Sequence, residues 1–113
     1  MVNNAFSSDS QGFKSKEQKR QEAEARQEIS KTRNLLQKRI EETESNLEKL
    51  AKRKTELEKL LADPETYNKP DSAAGLNKEY RENEGLTNVL EQEWEEYHVQ
   101  LEELLERIKT NQG

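Results

Sequence analysis

The stretch Leu60–Asp71 reads LLADPETYNKPD and holds both prolines of the chain, Pro64 and Pro70. Proline lacks a backbone N–H and its ring collides with the preceding turn, so no α-helix continues through such a segment. On either side lie long charged stretches whose sparse apolar residues recur every three or four positions. Upstream, Ile29, Arg33, Leu36, Ile40, Thr43, Leu47, Leu50, Lys54, Leu57 and Leu61 alternate in steps of four and three. Downstream, Leu76, Tyr80, Asn83, Thr87, Leu90, Trp94, Tyr97, Leu101, Leu104 and Ile108 resume the rhythm. A period of about 3.5 residues keeps one helical seam turned toward a partner helix. The short connection forces the two helices antiparallel. The expected fold is all-α: two long helices forming an antiparallel coiled-coil hairpin with a short Pro-containing tip.

The boundaries follow from local chemistry. Residues 1–14 mix Asn, Ser, Asp and Gly without a period and read as a disordered lead-in. Ser15 and Gln18 make a capping box, in which each side chain satisfies a backbone donor of the other. The hairpin is expected over 15–110, with a helix over 15–61, a tip over 62–71 and a helix over 72–110 capped by Asp71 or Ser72. Residues 111–113 read as a frayed tail. Folding about the tip pairs positions whose numbers add to roughly 134–137. Leu57 and Leu61 then meet Leu76 and Tyr80, and Trp94 lies across from Ile40 and Thr43. Asn83 falls opposite Lys54 as a polar layer; either it sets the register, or Lys54 reaches out to Glu79 or Glu82. Tyr67 also has two readings: its ring folds back over the apolar end of the hairpin, or it stands free beside Lys69 to stack on a base. Ile108 reaches back only to about Arg26 or Ile29 in this register. Residues 15–25 are therefore expected to overhang as an unpaired basic helix.

Composition narrows the function. With 29% hydrophobic and 38% charged residues among 113, the chain is too polar for a thick globular core. No apolar run approaches the roughly 20 residues that span a bilayer, and the N-terminus lacks the pattern of a signal peptide. The absence of cysteine excludes disulfides and thiolate metal sites and suits a cytoplasmic location. The abrupt start suggests a piece of a larger protein.

Catalytic chemistry has no foothold. His98, the sole histidine, sits on a helix flank and reads as a solvated surface residue. The Ser and Asp residues have no base placed with them, and the pairs Glu95-Glu96 and Glu102-Glu103 lie on exposed faces without a pocket. None of the four glycines belongs to a phosphate-cradling loop. No catalytic, cofactor-binding or metal-ligating residue is expected, and the chain alone is not an enzyme.

What remains is charged surface. Residues 1–61 carry 14 Lys/Arg against 11 Asp/Glu, whereas residues 62–113 carry 5 against 13. The basic excess concentrates in Lys14, Lys16, Lys19, Arg20, Arg26, Lys31, Arg33, Lys38 and Arg39. Eight of these, all but the seam residue Arg33, are candidate nucleic-acid contacts, since Lys and Arg bind phosphate backbones by releasing counterions. The competing reading is a helix surface balanced by glutamates one turn away.

LLADPETYNKPD, lying between a leucine-rich heptad helix and a helix carrying EQEWEEYHVQLEEL, resembles the C-terminal coiled-coil domain of ABC-F proteins. These are soluble tandem ATP-binding-cassette ATPases. The preceding SKEQKRQEAEARQEISKTRNLLQKRIEETE is similar to the basic linker through which that domain leaves the second cassette. The likeness covers about residues 14–109, with Leu61, Asp63, Pro64, Tyr67 and Trp94 as its best markers. The resemblance implies a parent whose cassettes bind ATP and magnesium. It also implies action on ribosomes, without membrane domains, and an accessory domain that contacts ribosomal RNA or DNA; the hairpin itself is expected to be monomeric, the competing possibility being an intermolecular helix bundle. No ATP-contacting motif of the family occurs in this chain. The alternative is a structural or protein-interaction coiled-coil spacer that touches no nucleic acid.

Overall fold

The structure, a computed structural model, describes residues 15–112. The expected lead-in over 1–14, with Lys14, lies outside the described residues, as does Gly113. Helix α1 spans Lys16–Ala62 and helix α2 spans Pro70–Gln112; a 3₁₀ helix, Pro64–Asn68, stands between them. The chain divides after Asn34 into two units, inside the span expected as one hairpin, and α1 contributes to both.

In the first unit, α1 opens on the expected capping box. The Gln18 N–H donates to Ser15 Oγ at 3.1 Å, and the Ser15 N–H donates to Gln18 Oε1 at 3.3 Å. These bonds satisfy two backbone donors near the helix start. None of residues 15–34 is buried, and Glu22, Ala23, Ile29 and Arg33 are half-buried.

The second unit is the antiparallel hairpin. Arg53 of α1 bonds Glu79 of α2, the Asn83 amide donates to the Leu50 carbonyl at 3.0 Å, and Trp94 Nε1 donates to Glu44 at 3.0 Å. Partners on α1 descend from 53 to 44 as those on α2 rise from 79 to 94, which is the antiparallel sense; the paired numbers add to 132, 133 and 138, on either side of the expected 134–137. Trp94 reaches the level of residue 44, beside the buried Thr43 of its expected layer. The seam is thin. Among the described residues, Leu36, Ile40, Leu57, Ala73 and Leu104 are its buried apolar residues, Thr43 and Asn83 its buried polar ones, and Leu57 alone is fully enclosed.

Asn83 is a buried polar layer of the seam: its amide bonds the Leu50 main-chain carbonyl, one turn from Lys54, and its Oδ1 accepts from Thr87 Oγ1 at 3.4 Å. A buried amide is satisfied more completely by a fixed carbonyl than by a long, strongly hydrated ammonium. Lys54 reaches neither Glu79 nor Glu82 but sits with Nζ 5.8 Å from the Tyr80 ring centroid. That arrangement keeps the charge near solvent and over a π face.

Glu79 belongs instead to Arg53, whose planar fork meets both carboxylate oxygens, at 2.5 and 2.9 Å. The third Arg53 nitrogen, Nη1, donates to Glu56 at 2.9 Å. The hydrogen bonds from Arg53 hold the Glu79 carboxyl below the usual glutamate range. A carboxyl whose pKa is depressed by folding contributes stability above its unfolded pKa of about 4.3, and loses that contribution as pH falls through its folded pKa. Glu79→Gln is therefore expected to lower stability by a roughly constant amount between pH 6 and 8 and to flatten its loss on acidification below about pH 5, so that the two proteins converge in acid. Urea midpoints of the two proteins measured across that range test this, and parallel curves would contradict it.

The tip explains why the chain turns. Asp63 leaves the helical region at φ −79° and ψ 121°, and its carboxylate accepts the Glu65 N–H at 3.0 Å. Pro64 follows at the start of the 3₁₀ helix, where its missing donor costs nothing. The last carbonyls of α1 lack intrahelical partners, and two tip hydroxyls satisfy them. Thr66 donates to the Leu60 carbonyl and Tyr67 to the Leu61 carbonyl, the latter at 2.7 Å. The Tyr67 hydroxyl thus folds back while the residue stays 55% exposed. Helix α2 begins at Pro70, two residues before its expected start. The Lys69 carbonyl accepts the Ser72 and Ala73 N–H groups at 3.0 and 3.2 Å. Asp71 and Ser72 therefore lie inside the first turn rather than at the cap, where Asp71 complements the helix dipole.

Candidate nucleic-acid interface

The chemistry available on this chain is that of helix surfaces. In the first unit, Lys16, Lys19, Arg20, Arg26 and Lys31 are all exposed on α1. At about 100° per residue, these five fall within an arc of about 140°, while Glu17, Glu24 and Glu28 gather in about 40° beside it. The basic and acidic side chains are sorted around the helix rather than alternating. Two ion pairs cross the border between them, Arg20–Glu17 at 3.1 Å and Lys31–Glu28 at 3.8 Å, with every partner at least 64% exposed. Such pairs contribute about 0–1 kcal/mol and yield readily to a phosphate. Lys16 and Arg26 form no ion pair among the described residues.

Lys38 and Arg39 belong to the second unit and are exposed there. The Arg39 carbonyl also accepts the buried Thr43 hydroxyl at 2.7 Å. The candidates therefore split, with five on one helical face of the first unit and two in the second. Sequence reasoning missed what lies within the basic arc. Ala23, Gln27, Ser30 and Asn34, spaced four, three and four, line a shallow groove with Arg26 and Lys31. That spacing is a helical stripe, and a search for apolar stripes alone passes over it.

The other polar cluster is at Trp94. His98 is half-buried rather than solvated, its ring meets the Trp94 ring edge-on at 4.2 Å, and its Nε2 is buried without a partner. A large aromatic neighbour one turn away removes His98 from water, a packing effect that a lone position on a helix flank does not reveal. Glu44 takes the Trp94 N–H from the opposite helix. Glu95, Glu96, Glu102 and Glu103 are exposed, as expected.

The hairpin, its tip and its Trp-bearing return helix match a known family. The model of the ABC transporter C-terminal domain covers residues 31–98, more than half of the chain. The chain belongs to the ABC transporter C-terminal domain family. No curated protein and no solved structure matches it. The matched span takes in the seam, the tip, Trp94 and His98, together with Lys31, Lys38 and Arg39, and leaves out Lys16, Lys19, Arg20 and Arg26. The chain is thus an accessory C-terminal domain of ABC-type ATP-binding proteins, and none of its described helices is long and apolar enough to cross a membrane.

Proposed function

We propose that this ABC transporter C-terminal domain is the non-catalytic accessory domain of an ABC-F-type ATPase. In this reading it acts in the cytoplasm and contacts ribosomal RNA or DNA through the first part of α1. ATP and magnesium are bound by the cassettes of the parent protein, not by this chain. The observation that carries the reading is the sorting of Lys16, Lys19, Arg20, Arg26 and Lys31 onto one exposed face, apart from Glu17, Glu24 and Glu28. A face of one sign neutralises phosphates, whereas alternating charge neutralises itself.

The test is an anisotropy titration with structured RNA and duplex DNA at two salt concentrations. Binding is expected to weaken steeply with salt. The variant carrying K16Q, K19Q, R20Q and R26Q should lose at least about 30-fold in affinity at 50 mM salt and flatten the salt slope by about 3. Binding indifferent to those four changes would sink the proposal.

A protein-interaction spacer is the second reading. It is favoured by nine glutamates between Glu82 and Glu106 with no Lys or Arg among them, a surface that repels nucleic acid. Absence of any binding at low salt would select it.

A further inference from the structure

We propose that α1 enters the major groove of B-form DNA over residues 19–34, with Gln27, Ser30 and Asn34 against the base edges. Lys19 and Arg26 would then meet one phosphate backbone and Arg20 and Lys31 the other. This rests on the nucleic-acid reading above and narrows it to a duplex, a groove and a set of base-reading residues.

The arrangement of the face carries the argument. Around the helix, Ala23, Gln27, Ser30 and Asn34 occupy a central strip about 60° wide. Lys19 and Arg26 lie about 50–70° to one side of the strip's middle, and Arg20 and Lys31 about 50–70° to the other. No carboxylate falls between the two flanks: Glu17, Glu24 and Glu28 lie beyond Arg20 and Lys31, and Glu22 beyond Arg26. A face built only to neutralise phosphate has no need of this order. A helix in a groove does, because its middle meets bases and its two edges meet two backbones.

The residue types match those positions. Asn and Gln each offer a donor and an acceptor in the geometry of adenine N6 and N7, and serine bonds any base edge. Ala23 at the centre lets the backbone approach closely and presents a methyl group of the kind that packs on the thymine methyl. Gln27, Ser30 and Asn34 are exposed and Ala23 half-buried, so the strip is open to a ligand.

Dimensions agree. A helix with side chains is about 10–12 Å across, and the B-form major groove is about 12 Å wide. From Lys19 to Lys31 the axis advances about 18 Å, the rise of roughly five base pairs. The major groove of A-form RNA is deep and narrow and does not admit a helix.

The experiment uses the whole chain and three labelled 20-base-pair duplexes of one mixed sequence. These are plain DNA, DNA whose cytosines carry glucosylated hydroxymethyl groups that fill the major groove, and double-stranded RNA. Plain DNA is expected to bind at least about tenfold more tightly than either of the others. R26Q with K31Q should weaken binding to every duplex and lower the salt slope by about 2. Q27A with N34A should keep the original salt slope but flatten the sequence preference recovered by selection from randomised duplexes. Alanine is the better helix former at both positions, so helicity at 222 nm is retained and loss of preference is not loss of fold. Equal affinity for plain and glucosylated DNA, or for DNA and double-stranded RNA, would overturn groove entry and leave phosphate contact standing. No binding to any duplex at low salt would overturn both.

Discussion

Replacing Leu57 by alanine is expected to destabilise the hairpin by about 3–4 kcal/mol, near the middle of the range for leucine truncation in a closed core. Leu57 has no exposed surface, and among the described residues it is the one large side chain wholly enclosed. Its removal takes away transfer free energy and also leaves a cavity. The cavity cannot close easily, because Arg53–Glu79 on one side and the Leu61–Tyr67 bond on the other hold the backbones in place. For a unit of this size each kcal/mol displaces the melting temperature by about 4–8 °C, so a fall of about 12–32 °C is expected by circular dichroism. Leu60 is the control: it is 40% exposed, and its truncation should cost well under that amount. Equal losses at the two positions would show that the seam does not close around Leu57.

Changing Asn83 to aspartate should cost about 3 kcal/mol at pH 7, although the two side chains have nearly the same shape. Asn83 is 5% exposed, and its amide N–H points at the Leu50 carbonyl. Aspartate sets an acceptor against that acceptor and leaves an ionised carboxylate in the seam. Burial raises a carboxyl pKa, so the penalty is full well above the raised value and shrinks as pH falls toward the unfolded value of about 3.9. Urea midpoints at pH 7 and pH 4 should therefore converge on those of the parent at the lower pH. Asn83→Leu should fold with equal or greater stability at both. A penalty independent of pH would show that packing, not charge, sets the requirement for Asn83.

The tip was plain in the residues because Pro64 and Pro70 act through covalent geometry, which no tertiary context overrides. The helices were legible for a related reason: a seam repeating every seven residues cannot be buried in any element but a helix facing a helix. The capping box at Ser15 and Gln18 is equally local. Partner choices were less accessible. Lys54 and Arg53 are neighbours, and only the register of the packed helices makes Arg53 the one that meets Glu79. The Asn83 bond to a main-chain carbonyl carries no side-chain signature at position 50 for a pattern to detect.

The same boundary runs through the candidate interface. Net basic charge between residues 14 and 39 can be counted without a structure. The sorting of that charge around α1, with Ala23, Gln27, Ser30 and Asn34 between two cationic edges, depends on the segment being helical and exposed there.

By itself, then, the sequence determined an all-helical hairpin, its turning point and the sign of charge at each end. These follow from backbone sterics, seven-residue periodicity and composition, all of which act along the chain. Only the tertiary structure decided which side chains meet. It set Asn83 on Leu50, Arg53 on Glu79, Trp94 on Glu44, and drew His98 out of solvent. Such pairings depend on distances between segments remote in sequence, and differences of one residue in register exchange one partner for another.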